Sequence, residues 1–193
     1  MARQNIPDAG DWINSLEGIM REQVVEAADR FLALSVMQLN WRHQPDKWSI
    51  AELLQHLNAA ADLYTPRLNK AVTRARPVKS AQRAHRNGRM GQLFIRGLRS
   101  KKTFKSPKDF EPDLSNIADP HAVVRDFRQK QLAIAELMAK SQQLDLQRTR
   151  LSSPSNFLLR FNLGDAFAIH TYHVKRHLEQ AQERIQMSGF PPA

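Results

Sequence analysis

Three of the chain's seven histidines fall inside HTYHVKRHLEQ, residues 170–180. His173 and His177 are four apart, so on a helix they leave the same face one turn apart. Two imidazole nitrogens placed in this way can reach one divalent cation at about 2.0–2.1 Å each. A catalytic metal centre also needs a third protein ligand and an open position for water or substrate. The zincin pattern HExxH shares the spacing but carries a glutamate after the first histidine; here that position is Val174, which excludes zincin chemistry. Spacing alone leaves a partly exposed helix face as the alternative to metal ligation. His170 reads as a half-buried ring bonded to a carbonyl or a carboxylate, a neighbour of the pair rather than a third ligand.

A candidate third ligand lies in AELLQHLNAAA, more than a hundred residues earlier. His56 sits near the apolar face of that run, where an isolated histidine is usually a satisfied core residue. Helix bundles, however, assemble metal sites from side chains on facing helices. One histidine from this run and the His173/His177 pair would make three nitrogen ligands.

The elements that must position these residues are helical. Asp11 to about Leu39 carries Trp12, Leu16, Ile19, Val24, Ala27, Phe31 and Leu34 at mostly helical spacing. A second helix starts at WSIAEL, with Ser49 as N-cap and Glu52 three residues on as a capping box, and Trp48 placed to staple on Leu53. It runs to about Arg74, and Pro66 is expected to kink or divide it. A third helix is capped by Asp119, has Pro120 at its first position and ends near Leu144. A fourth is capped by Asn162, with Asp165 three on, and runs to Met187 before Gly189 and Pro191 stop it. QRTRLSSPSN reads as a loop, no stretch has a convincing period of two, and a short helix is expected around Gly91 to Arg99. Four long amphipathic helices predict an all-α helix bundle in a single domain over 1–193, with a long insertion at 75–118.

Two segments carry a resemblance. KWSIAELLQHLNAAADLY resembles the opening of the second helix in the DinB-like (DinB/YfiT-like) family, W-S-x-x-E-x-x-x-H-L. HVKRHLEQAQERIQMSGFP resembles that family's fourth-helix signature, H-x-x-R-H-L-x-Q with a terminal Phe-Pro. The resemblance spans most of the chain outside the basic insertion. It implies an antiparallel four-helix bundle of the DinB/YfiT-like type. It also implies a divalent metal, zinc or nickel, held by three histidines matching His56, His173 and His177. Homodimers, and chemistry that uses a low-molecular-weight thiol, are likewise implied by the family. Around such a centre Glu52, His170 and Gln180 are candidate supporting residues, with the capping box as the simpler role for Glu52. Arg176 points away from His173 and reads as a solvated or bundle-edge charge.

Charge is unevenly distributed. Twelve of the 29 Lys and Arg lie between Arg74 and Lys108, a span without Asp or Glu, and the other 17 face 19 acidic residues. The pI of about 10.4 therefore belongs to that segment. Such a run can bind nucleic-acid phosphates or an acidic partner, though it holds no dense aromatic pattern for stacking bases. Otherwise it is a solvated loop beside the site mouth, with His85 expected at its surface. Cysteine is absent, which removes disulfides and thiolate ligands. No apolar run is long enough to span a bilayer, and the N-terminus lacks the apolar core of a secretory signal, so the expectation is a cytoplasmic protein. The three matched histidines and the family resemblance together imply a metal-dependent transferase or hydrolase that activates water or a thiol toward a small-molecule substrate. The alternative is a non-catalytic binding module that uses the basic insertion.

Overall fold

The computed structural model describes residues 8–79, 85–100, 111, 117–154, 156 and 158–192. The order is α1 (Ala9–Leu32), α2 (Val36–Asn40), α3 (Ile50–Arg74), α4 (Arg89–Arg99), α5 (Pro120–Ala139), β1 (Arg150–Ser152), β2 (Arg160–Asn162) and α6 (Leu163–Ile185). The chain is mostly helical, as the periodicity predicts. No helix among the described residues is long and apolar enough to cross a membrane.

The helix starts follow local chemistry. Ser49 accepts the Glu52 N–H while the Glu52 carboxylate accepts the Ser49 N–H, so both arms of the capping box at the start of α3 are made. Asp119 accepts from Ala122 and Asn162 from Asp165, capping α5 and α6. The expected first helix is broken. Ser35 and Gln38 form a second reciprocal capping box that ends α1 before it and starts α2 after it. Ile19, expected on the buried face of α1, is exposed, and Ile13 and Met20 fill the core instead. Pro66 does not divide α3. Its ring removes the N–H that would bond the Asp62 carbonyl, and both residues lie on an exposed face where water can take that carbonyl. The third and fourth expected helices end at Ala139 and Ile185, earlier than the periodicity suggested.

The stretch expected as loop contains the first strand of a small hairpin, whose second strand follows it. Leu151 pairs with Phe161 and Ser152 with Arg160 in antiparallel register. Three-residue strands are too short to show a period in sequence, so the pairing is evident only in three dimensions.

α1 packs on α5, α5 on α3, α3 on α6, and α6 back on α1. Side-chain contacts give the directions. Asp29 meets Arg128 while Leu34, just past α1, meets His121, so α1 and α5 are antiparallel. His56 meets His173 and Tyr64 meets His170, so α3 and α6 are antiparallel. The chain leaving α3 pairs with the chain leaving α5, Pro77 opposite Leu144, so these two helices run in the same direction. The long connection between them permits that parallel arrangement. The core along the shared axis includes Phe31, Leu54, Leu57, Phe127, Ile134, Phe167 and Val174.

Part of the basic segment 75–118, residues 80–84, 101–110 and 112–116, lies outside the described residues. Its described part is not simply solvated. α4 packs along α6 through Ile95 and Leu98, and Phe94 meets Phe161 edge to face at 5.2 Å. At one end of α4, Asp165 accepts the Gly88 N–H, and the carboxylate lies so close to Gly91 that a Cβ there would fall on it. At the other end, Arg176 donates to the Leu98 and Ser100 carbonyls, which closes the helix C-terminus. His85, expected at the surface, is buried. Its ring lies 4.2 Å from that of Trp12 and against Gly164, where only a hydrogen leaves room for it. Burial lowers its pKa.

Candidate metal centre

His56 enters the site from the second turn of α3, and His173 and His177 enter from facing turns of α6. His56 Nε2 lies 3.0 Å from His173 Nε2, and His177 Nε2 lies 3.1 Å from the same atom. Ligand atoms of all three residues fall within 4.8 Å of one another. Two nitrogens bound to one tetrahedral ion at about 2.0–2.1 Å would be separated by roughly 3.3 Å. The observed spacing is close to that value.

The protonation chemistry favours a cation at this point. A neutral imidazole presents one N–H and one lone pair. His177 Nδ1 lies 2.8 Å from Gln180 Oε1, an acceptor, so the proton belongs on Nδ1 and the Nε2 lone pair faces the cluster. A single proton on His173 Nε2 could satisfy one of its two ring neighbours, not both. Burial, followed by the neighbouring His177, holds His173 well below the ordinary histidine range. Burial, followed by His56, pushes His177 down to about 3. The pair on α6 is therefore neutral near pH 7, as metal ligation requires. His56 is buried, whereas His173 and His177 are partly exposed, so the cluster opens on the α6 side.

Trp48 forms one wall. Its ring lies 5.1 Å from that of His56 and 6.5 Å from that of His177, and its carbonyl accepts from Arg184. Packing is the role expected for Trp48, and its ring packs on two of the clustered histidine rings.

The residues expected around the cluster take different positions. Gln180 bonds His177 directly. Glu52 makes the capping box and is also clasped by Arg42, whose Nε donates at 2.9 Å. His170 is fully buried rather than half-buried, and Nε2 lies 2.7 Å from the side-chain oxygen of Gln131. Gln131 donates its amide to the Leu57 carbonyl, which fixes its oxygen toward His170 and makes His170 Nε2 the donor. Burial lowers the His170 pKa to about 4. Helical spacing places Gln131 on the apolar face of α5. A glutamine within an otherwise apolar stripe was the available signal, because a buried amide needs partners.

A family model described as the DinB superfamily matches residues 20–181. That interval includes all three histidines, the whole of α3, most of α6 and the basic segment. No curated protein and no solved structure matches the chain.

Proposed function

Because this chain belongs to the DinB superfamily, we propose that it is a divalent-metal-dependent enzyme whose His56, His173 and His177 hold one ion, zinc or nickel, in a single-domain four-helix bundle. The observation that carries this reading is the convergence of three ring nitrogens from two helices with too few protons to satisfy one another. A cation bound there supplies Lewis acidity that activates water or a low-molecular-weight thiol for transferase or hydrolase chemistry on a small substrate.

The remaining work belongs to the chain's own side chains. Gln180 holds the His177 ring with its Nε2 lone pair inward. Trp48 screens His56 and His177 from water on one side and so raises the strength of electrostatic interactions within the site. The Arg42–Glu52 pair and the Ser49 cap fix the first turn of α3, one turn before His56. Gln131 joins α5 to α3 and α6 beneath the cluster, with His170 supporting the turn that bears His173. Substrate approaches from the side where His173 and His177 are partly exposed. The site as proposed belongs to a cytoplasmic protein, with a homodimer as its assembly.

Elemental analysis of the purified protein tests this reading. About one divalent ion per chain is expected, with uptake lost in His56→Ala and in His173→Ala. Protein that carries no such ion and takes none up when offered would overturn it. A screen of low-molecular-weight thiols with the loaded protein then separates thiol transfer from hydrolysis.

A further inference from the structure

At the far end of the molecule the chain builds a second concave site. A cleft of about 460 Å³ is lined by Arg74, Arg76, Arg148, Arg150 and Arg160, with Asp145 as the one acidic side chain among the described residues that line it. The five arginines come from three separate parts of the chain: the last turn of α3 and the residue pair after it, the turn leading into β1, and the start of β2. Backbone pairing holds those parts together. The Asp145 N–H donates to the Arg76 carbonyl at 2.9 Å, the Val78 N–H to that of Gln143 at 3.0 Å, and the Arg74 guanidinium to that of Arg150. The convergence is therefore fixed by the fold.

The charges do not compensate one another. The Asp145 carboxylate accepts the Arg148 backbone N–H at 2.8 Å and serves as a turn cap. Among the described residues, no carboxylate forms an ion pair with any of the five guanidinium groups, Asp165 feeling the Arg150 charge only at longer range, and the side chains of Arg76, Arg148, Arg150 and Arg160 have no hydrogen-bond acceptor. A concave surface with one sign of charge concentrates its field and raises the local concentration of counter-ions. Guanidinium forks match phosphate oxygens in bidentate fashion, which makes arginine the preferred residue for this recognition.

We propose that this cleft binds a compact small molecule bearing two or more phosphate groups. Its volume lies within the range of about 300–1,000 Å³ typical of small-ligand sites. Among the described residues no aromatic side chain lines it, so that lining offers no stacking platform of the kind single-stranded nucleic-acid sites use. The cleft is separate from the histidine cluster. Arg74 lies 18 residues along α3 from His56, about 27 Å at a rise of about 1.5 Å per residue. The ligand therefore does not reach the three histidines, and its binding does not depend on a metal there.

Calorimetric titration of the full chain with inorganic tripolyphosphate, at fixed ionic strength near physiological, tests the proposal. Saturable binding with one ligand per chain is expected. Arg148→Glu combined with Arg160→Glu should weaken it at least tenfold, and the milder Arg148→Gln/Arg160→Gln pair should weaken it less while melting as the parent does. Arg96→Glu, on the exposed face of α4, should leave it unchanged. Absence of saturable binding, or equal affinity in both double variants, would overturn the proposal. So would tight binding of a 20-base-pair duplex that tripolyphosphate fails to displace, since the cleft would then be part of a nucleic-acid surface.

Discussion

Gln131→Leu is the most informative single change to the scaffold beneath the histidines. Gln131 has no exposed surface, and its one amide serves two helices, donating to the Leu57 carbonyl of α3 and accepting from His170 of α6. Leucine keeps the volume but removes both bonds. The His170 N–H is then stranded in the core at a cost of about 1–3 kcal/mol, and the lost bond to Leu57 adds about 1 kcal/mol. The sum is about 2–4 kcal/mol. For a chain of this size each kcal/mol moves the melting point by about 2–4 °C, so calorimetry should show a fall of about 4–16 °C. Removing both polar partners together is far cheaper than stranding one. Gln131→Leu with His170→Phe should therefore lose less than the two single changes combined, by about 1–2 kcal/mol. If Gln131→Leu melts within 2 °C of the parent, or the two changes simply add, the amide does not join the helices as described.

Three further outcomes follow from specific contacts. Burial raises the Asp165 carboxyl to about 6, against the opposing pulls of the Gly88 N–H and Arg150. A carboxyl raised in the folded state favours folding while protonated, so this contribution is present below about pH 4 and lost as pH climbs through about 6. Asp165→Asn should flatten that part of the stability–pH profile and raise stability at pH 7–8, as denaturant titrations across pH would show. Arg42→Ala leaves the buried Glu52 carboxylate without its guanidinium partner, and urea unfolding should report a loss of about 1–3 kcal/mol, with Glu52→Gln relieving most of it in the double variant. Trp48 lies against two of the three proposed ligand rings, so nickel or copper should quench part of the intrinsic fluorescence. Trp48→Phe should remove that quenching while retaining metal uptake, as measured by fluorescence and elemental analysis on the same samples.

What could be read from sequence divides along physical lines. The caps at Ser49, Asp119 and Asn162 were legible because a cap is a local transaction between a side chain and backbone two or three residues away. The break at Ser35 was equally local and announced by Ser35 and Gln38, but the continuous apolar spacing around it concealed the signal. The histidine cluster was legible in part. The i, i+4 spacing placed His173 and His177 on one face, but their link to His56 rested on resemblance, since nothing local joins residues 117 apart in sequence. Burial of His85 depends on Trp12 and Gly164, each distant in the chain, and the hairpin at Arg150–Asn162 exists only as a pairing. Gln131 lay between these cases, since its position predicted burial but not the partners that burial demands.

The central claim is that three histidines from α3 and α6 hold one divalent ion with a position left open. X-ray absorption on protein loaded with one equivalent of zinc tests it directly. The account predicts about three imidazole nitrogens at about 2.0–2.1 Å, at least one further light-atom ligand that a small thiol can replace with sulfur at about 2.3 Å, and loss of the imidazole scattering pattern in His56→Ala. A shell dominated by water or carboxylate oxygens, or one unchanged by His56→Ala, would contradict it.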